Sequence, residues 1–436
     1  MREIALQYRT FKRARSALDL VHLVVISLVC GTAFILFSCD SSETTSVVLE
    51  PPKVPLLSLN HETRGAFLGV WGEPKEEGGV WFVGGERSSD GESHSLIATY
   101  DAQGQIKLED ERAGGILWWV WGSGEKGVLW AAGEEGTILR RPRPVGENNS
   151  RAYWEQERID LSEEVLEKLV IWGIWGMPNA GEGDELWAVG GSVRRGGPKG
   201  VLLKRDFDGV WRRVKVDLLP QESADDPLVG LNLYKIWGDG RQVWIVGEGS
   251  LTLTATLKAE AEGSWGLSEW SKLELGGDRP ELIFTVSGHS RYTQDSSIEE
   301  NSIEENSIEE KLLGPWAVGG YSTGRAWQWS TEGWAELVLP SVASLNGVAS
   351  SDDLVLAVGA RGGLLAWSPH FTPTESKQIH HQWIRGAESM TLHSTWVSPK
   401  GDFWIVGGDL TTLQSGVIIT PNDWSQDYSP IMFEEW

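Results

Sequence analysis

Three histidines, His380, His381 and His393, are the only cluster of histidines in the 436-residue sequence, and they are the first place to look for a metal. Adjacent residues on a strand point to opposite faces, so His380 and His381 would not close on one ion, and no metal or other cofactor is expected. Asp225-Asp226 and Asp352-Asp353 are adjacent carboxylates that could serve glycoside hydrolysis if they lined a channel. Both pairs fall in predicted loops, where they read as solvated turn residues. No nucleophile stands beside a base at a telling spacing, and no alternating Asp loop for calcium occurs. No catalytic residue is expected.

Binding is better represented than catalysis. Arg87, Arg194, Arg195, Lys199, Arg325 and Arg361 are basic in an otherwise acidic chain, and all fall in turns at equivalent places of a repeat. If those turns share a face, the six would form a positive rim for an anionic ligand. Arginine is also common in any exposed turn, so that alternative stays open.

The repeat is what must position them. Tryptophan occurs 25 times and recurs at fixed places. Trp71-Gly72 precedes Trp81-Phe82-Val83-Gly84, and Trp121-Gly122 precedes Trp130-Ala131-Ala132-Gly133. Trp175-Gly176 is followed by Trp187-Ala188-Val189-Gly190, and Trp237-Gly238 by Trp244-Ile245-Val246-Gly247. Weaker copies are Ser287-Gly288 with Trp316-Ala317-Val318-Gly319, Ala349-Ser350 with Leu356-Ala357-Val358-Gly359, and Trp396-Val397 with Trp404-Ile405-Val406-Gly407.

Within copy two the apolar runs are Ile116 to Trp121, Val128 to Ala132, Thr137 to Arg140 and Tyr153 to Leu161, each ended by turn formers. Four strands per copy and seven copies predict an all-β fold, a seven-bladed β-propeller. The blades fall at roughly 66–113, 114–169, 170–230, 231–279, 280–340, 341–390 and 391–436. The strand-like stretch Val54 to Asn60 is expected to pair with the last blade and remove its open edge.

A third anchor, in the fourth strand, falls at Trp154, Trp211, Trp270, Trp334, Trp383 and Trp424. These repeat positions are expected to pack blade on blade, where a large ring fills the widening space between twisted sheets. A sugar-stacking role for tryptophan is the alternative. It would need non-repeat residues such as Trp118, Trp119, Trp327, Trp329 and Trp367 to be exposed beside carboxylates. Each glycine after the second strand suggests a positive φ or a close backbone approach.

The Trp-Gly, Trp-x-Val-Gly and Gly-Thr-Ile-Leu succession of copy two resembles the tryptophan-rich propeller repeats of predicted myxobacterial lipoproteins, over about Ala66 to Tyr428. Gly84-Gly85, Gly190-Gly191, Gly319-Gly320 and Gly407-Gly408 are similar to the paired glycines of kelch repeats. The kelch-like oxidases use a Tyr-Cys crosslink and copper-binding histidines, and the mature chain expected here offers no free thiol. The resemblance implies architecture; function does not follow from it.

The N-terminal segment has its own pattern. Arg2, Arg9, Lys12, Arg13 and Arg15 precede an apolar run from Leu20 to Phe37 that stops at Ser38-Cys39. This resembles a lipoprotein signal peptide (residues 1–38) whose Cys39 becomes the lipidated N-terminus, with a tether over 39–53 and the propeller over 54–436. The run also approaches the length needed to span a bilayer, which leaves a signal anchor as the alternative.

Removing five basic and two acidic residues with that segment leaves 33 basic against 60 acidic, a net charge of −27 compared with −24 for the whole chain. Nucleic acid is excluded as a partner on that balance. The expectation is a monomeric, envelope-anchored binding or scaffold protein, held to the membrane by its lipid, that engages a protein or polysaccharide. A glycan-binding or glycan-cleaving propeller and a purely structural lipoprotein are the alternatives. The threefold Ser-Ile-Glu-Glu repeat within 295–311 places isoleucines five apart, which makes no helical stripe and predicts a disordered acidic insertion. Asp160 to Leu169 predicts a short helix capped by Asp160.

Overall fold

The structure is a computed structural model that describes residues 63–419 apart from 74–78, 102–103, 124–126, 143–152, 178–184, 217–229, 261–263, 276–280, 290–313, 370–375, 377–378 and 385. The leader, Cys39, the tether, the stretch Val54 to Asn60, Asp225-Asp226, the acidic insertion and Trp424 therefore lie outside the described residues.

The chain forms a seven-bladed β-propeller. Its inner strands are Ala66–Gly72, Leu117–Gly122, Val170–Gly176, Leu233–Gly238, Ile283–Ser287, Leu345–Ser350 and Thr391–Val397, and each blade grows outward from one of them as an antiparallel meander. Each inner strand packs beside that of the next blade, and the first packs beside the seventh. Six blades have four meander strands; the seventh shows three among the described residues. At the closure, Thr63 Oγ1 donates to Gly416 O (3.2 Å) and Gly65 N to Gln414 O (3.3 Å), so residues before the first blade lie against the last.

Burial is organised as layers between blades. Seven apolar clusters each join two successive blades, and an eighth sits near the axis. The tryptophan anchors populate these layers. In five blades the two leading tryptophans are direct cross-strand partners, as in Trp71 opposite Trp81 and Trp175 opposite Trp187. Their ring centroids lie 5.2 to 5.9 Å apart. Trp154, Trp211, Trp270 and Trp334 close the same layers from the fourth-strand side, whereas Trp383 is exposed.

Two families of glycine have packing reasons. A Cβ on Gly84 would lie 2.0 Å from Ala66 O, and one on Gly133 would lie 2.1 Å from Ile116 O. The equivalent glycines of the other five blades are as tight, and none has a positive φ, so close approach is the cause. The glycine of each Trp-Gly pair is different. A Cβ on Gly122 would lie 2.4 Å from the indole of Trp71, in the preceding blade, and Gly238, Gly288 and Gly72 meet Trp175, Trp237 and Trp396 in the same way, while at Gly176 the indole of Trp121 lies at 3.0 Å and Leu186 is closer, at 2.4 Å. Blades five and six carry Ser287 and Ala349 in place of that tryptophan, and the residues that follow around the ring are Ser350 and Val397. Glycine is thus kept where the preceding blade sends an indole and released where it does not.

Blade two departs from the sequence expectation. The predicted strand Tyr153 to Leu161 divides between two sheets: Glu155–Gln156 completes blade two, while Arg158–Ile159 pairs in parallel with Val210–Arg213 at the outer edge of blade three. The hinge is Glu157, whose side chain is 8% exposed. It accepts from Arg205 Nη2 at 2.8 Å and from Trp211 Nε1 at 2.7 Å, and Arg140 Nε lies 4.0 Å away. The helix that follows is one turn, Glu163–Leu166, and its N-cap is Ser162 instead of Asp160.

Glu157→Ala leaves Trp211 Nε1 and the Arg205 guanidinium without their acceptor, and is expected to lower unfolding free energy by about 2 kcal/mol. Exposed Glu163→Ala should change it by less than about 0.5 kcal/mol. Urea unfolding of the two variants checks both values.

Candidate functional site

Every inner strand carries a bulge at the same place. The register against the second strand skips one residue in each blade, and the skipped residues are Leu68, Trp118, Trp172, Tyr234, Phe284, Asn346 and His393. All lie three residues before the first anchor of their copy. A bulge re-aims side chains and strengthens local twist, and here it turns a column of the repeat toward the axis.

Ring contacts among these residues show this. Trp118 of blade two meets His393 of blade seven edge-to-face at 5.5 Å, passing over Leu68 of the blade between them. Trp172 meets Tyr234 at 5.1 Å, and Tyr234 meets Phe284 at 5.8 Å. The inner ring is therefore an arc of aromatic faces closed by an amide and an imidazole. Trp118, Tyr234, Phe284 and His393 are half-buried; Trp172 and Asn346 are buried.

One residue further on, a second layer comprises Gly69, Trp119, Gly173, Lys235, Thr285, Gly347 and Ser394. Lys235 reaches across blade three. Its Nζ sits 4.0 Å from the ring centroid of Trp119 and donates to Trp172 O. Trp119 Nε1 donates to Ile174 O at 3.0 Å, which fixes the ring under the ammonium. No carboxylate lies within ion-pair distance of Lys235 among the described residues.

The electrostatics follow from burial. It pulls the Lys235 ammonium down to about 7, and it pushes the Tyr234 phenol up to about 12. Burial, followed by the charge of Lys235, holds His393 down to about 4. His393 is thus neutral at pH 7. Its Nδ1 lies 2.6 Å from Leu68 O and must carry the proton, which leaves Nε2 as an acceptor. Asn346 Oδ1 and Trp118 Nε1 have no hydrogen-bond partner among the described residues.

One edge of the mouth is covered. Leu410 and Leu413, from the turn between the second and third strands of blade seven, pack on Ala66, Leu68, Ile116 and Trp118. Asp409 holds that turn by accepting from Thr411 N at 2.8 Å and Thr412 Oγ1 at 2.7 Å.

The six turn cations are placed differently from a free rim. Arg87 lies 3.6 Å from Glu134 and Lys199 lies 3.7 Å from Glu248, each pair joining two successive blades. Arg325 is held by Glu281 at 3.1 Å and Glu336 at 2.6 Å. Arg194 donates to Glu167 O at 2.9 Å, and Arg194, Arg195 and Arg361 are exposed. Half of the set is neutralised by carboxylates.

Of the non-repeat tryptophans, Trp327 and Trp367 are buried between blades and Trp329 packs on Trp244 and Trp334, whereas Trp118, Trp119 and Trp172 belong to the inner strands. His380 and His381 lie in the outer strand of blade six, apart from the inner strand that carries His393. Among the described residues no trio of His, Cys, Asp or Glu could hold a metal ion.

A concavity of about 200 Å³ lies where blades three and four meet and is lined by Glu185, Lys204, Asp206, Phe207 and Glu260 among others. Lys204 stands 3.5 Å from both Glu185 and Glu260 and donates to Trp265 O, so this is an inter-blade clasp.

No protein-family model and no curated protein matches the chain. The ring of side chains around the axis, called the axial chamber below, is therefore read from its own chemistry. Flat aromatic faces, one unpaired amide oxygen, an imidazole acceptor and a buried ammonium can bind a ring-shaped ligand.

Proposed function

We propose that this chain is an envelope-anchored, non-catalytic binding propeller whose ligand, borne by an envelope polysaccharide or protein, enters the axial chamber. The observation that carries the binding reading is the bulge ring, because seven equivalent bulges bring aromatic and polar side chains together that a purely structural propeller has no need to aim inward. The anchor rests on the sequence alone, on the Leu20 to Phe37 run that stops at Cys39. The likeness to tryptophan-rich, kelch-like lipoprotein repeats supports the same placement.

A glycan is the favoured ligand class. Sugar rings offer an apolar face for stacking and an edge of hydroxyls, and the same ring of bulges that carries Trp172, Tyr234 and Phe284 carries Asn346, whose amide oxygen lacks a donor among the described residues.

The test titrates the detergent-solubilised full chain with glucan, chitin and uronate oligomers and with peptidoglycan fragments, following tryptophan fluorescence. At least one is expected to bind, and Trp172→Ala combined with Phe284→Ala to weaken it by about tenfold or more. Arg194→Glu, Arg195→Glu and Arg361→Glu together should leave it unchanged. Binding lost in the arginine variant and kept in the aromatic one would move the site to the turns and sink the chamber.

A further inference from the structure

Lys235 is the feature that the binding reading leaves unused. An ammonium has three N–H donors, and here the one hydrogen bond it makes among the described residues is to Trp172 O. It is 4% exposed, in a chain where acidic residues outnumber basic ones 62 to 38, yet no carboxylate among the described residues forms an ion pair with it. Two less deeply buried cations among the described residues each have an acid: Lys204 has Glu185, and Arg205 has Glu157. A buried charge without a counter-ion is normally eliminated or paired.

The neighbours narrow what the missing counter-ion is. Trp119 and Trp172 flank the ammonium from blades two and three, and His393, the titratable group near it across the axis, is neutral at pH 7. Asn346 Oδ1, in a residue 9% exposed, is an unpaired acceptor on the same ring of bulges. An inorganic anion would satisfy Lys235 and leave both Asn346 and the aromatic arc unused. A ring that carries a carboxylate and a hydroxyl satisfies all three.

We infer that the chamber takes a carboxylate-bearing ring, a uronic-acid residue of an acidic polysaccharide, with its face on Trp172, Tyr234 and Phe284 and its carboxylate on Lys235. The inference rests on the chamber being the binding site.

The experiment compares three probes on the full chain, by calorimetry at pH 6: a glucuronate oligomer, a glucose oligomer of the same length, and benzoate. Each is measured on the native protein and on Lys235→Met. The charge-assisted hydrogen bond predicts that glucuronate binds about tenfold or more tightly than glucose, and that Lys235→Met removes this preference while glucose binding persists. Persistent glucose binding also shows that the variant is folded.

Equal affinities on the native protein, or a preference that survives Lys235→Met, would overturn the inference and leave the chamber as a neutral-sugar site. Benzoate bound through Lys235 with glucuronate unbound would overturn the uronate assignment and make the counter-ion an aromatic carboxylate. Binding of none of the three overturns the inference outright; the chamber itself then stands or falls on the wider panel with Trp172→Ala and Phe284→Ala.

Discussion

Gly122→Val is expected to lower the unfolding free energy by about 3 kcal/mol, and to lose nearly all of that effect when Trp71 is also alanine. The position is on the inner strand of blade two, and even a single Cβ there would sit 2.4 Å from Cη2 of Trp71. The indole cannot retreat cheaply, because it stacks against Trp81 with centroids 5.9 Å apart. Something must shift, and overpacking of this kind costs about 1–3 kcal/mol or more.

The compensating change is already present elsewhere in the ring. Blade six has Ala349 where blade one has Trp71, and blade seven has Val397 where blade two has Gly122; both lie in the apolar layer between blades six and seven. Trp71→Ala with Gly122→Val recreates that pair. The double variant is expected to be about as stable as Trp71→Ala alone, a coupling of about 3 kcal/mol measured by urea unfolding of all four members of the cycle. Simple additivity would show that the tryptophan does not set the requirement for glycine.

Blade number was legible in the sequence because the anchors are paired locally. Trp71 and Trp81 face each other across one hairpin, so their spacing reports a short-range geometry that recurs. The division of Tyr153 to Leu161 was not legible, since the choice between two sheet edges depends on Arg205 and Trp211, which are remote in sequence and reach Glu157 only after blade three has formed. Likewise, the basic turns could be counted, but Glu134 beside Arg87 and Glu248 beside Lys199 come from the next blade.

The chamber lay between these extremes. The column three residues before the first anchor could be aligned across the copies, and it holds Leu, Trp, Trp, Tyr, Phe, Asn and His. What could not be read was its direction. Strict alternation from the anchor would assign these residues to one face and their neighbours Trp119 and Lys235 to the other, whereas the bulge brings both toward the axis. A register shift is a property of two strands, and no single strand announces it.

The same geometry makes Lys235→Met a stabilising substitution. The ammonium is pulled down to about 7 from an ordinary 10.5 by burial alone. Below about pH 7 the lysine is charged in both folded and unfolded chains, and the fold bears the full desolvation cost. Between about 7 and 10.5 the unfolded chain holds a proton that the folded one has released, so stability rises with pH; above that range the cost is gone.

At about 1.4 kcal/mol per unit the cost approaches 5 kcal/mol. Lost contacts to Trp119 and Trp172 O offset part of it, which leaves a gain of about 3 kcal/mol for Lys235→Met at pH 6 to 7. The gain should shrink steadily toward pH 10. Urea midpoints of the native chain and the variant at pH 6, 8 and 10 measure it. A difference that does not change with pH would mean that the ammonium is solvated, and would remove the reason for assigning it a ligand. A gain that follows this course identifies a charge the fold holds at the expense of its own stability, one layer beyond the aromatic arc.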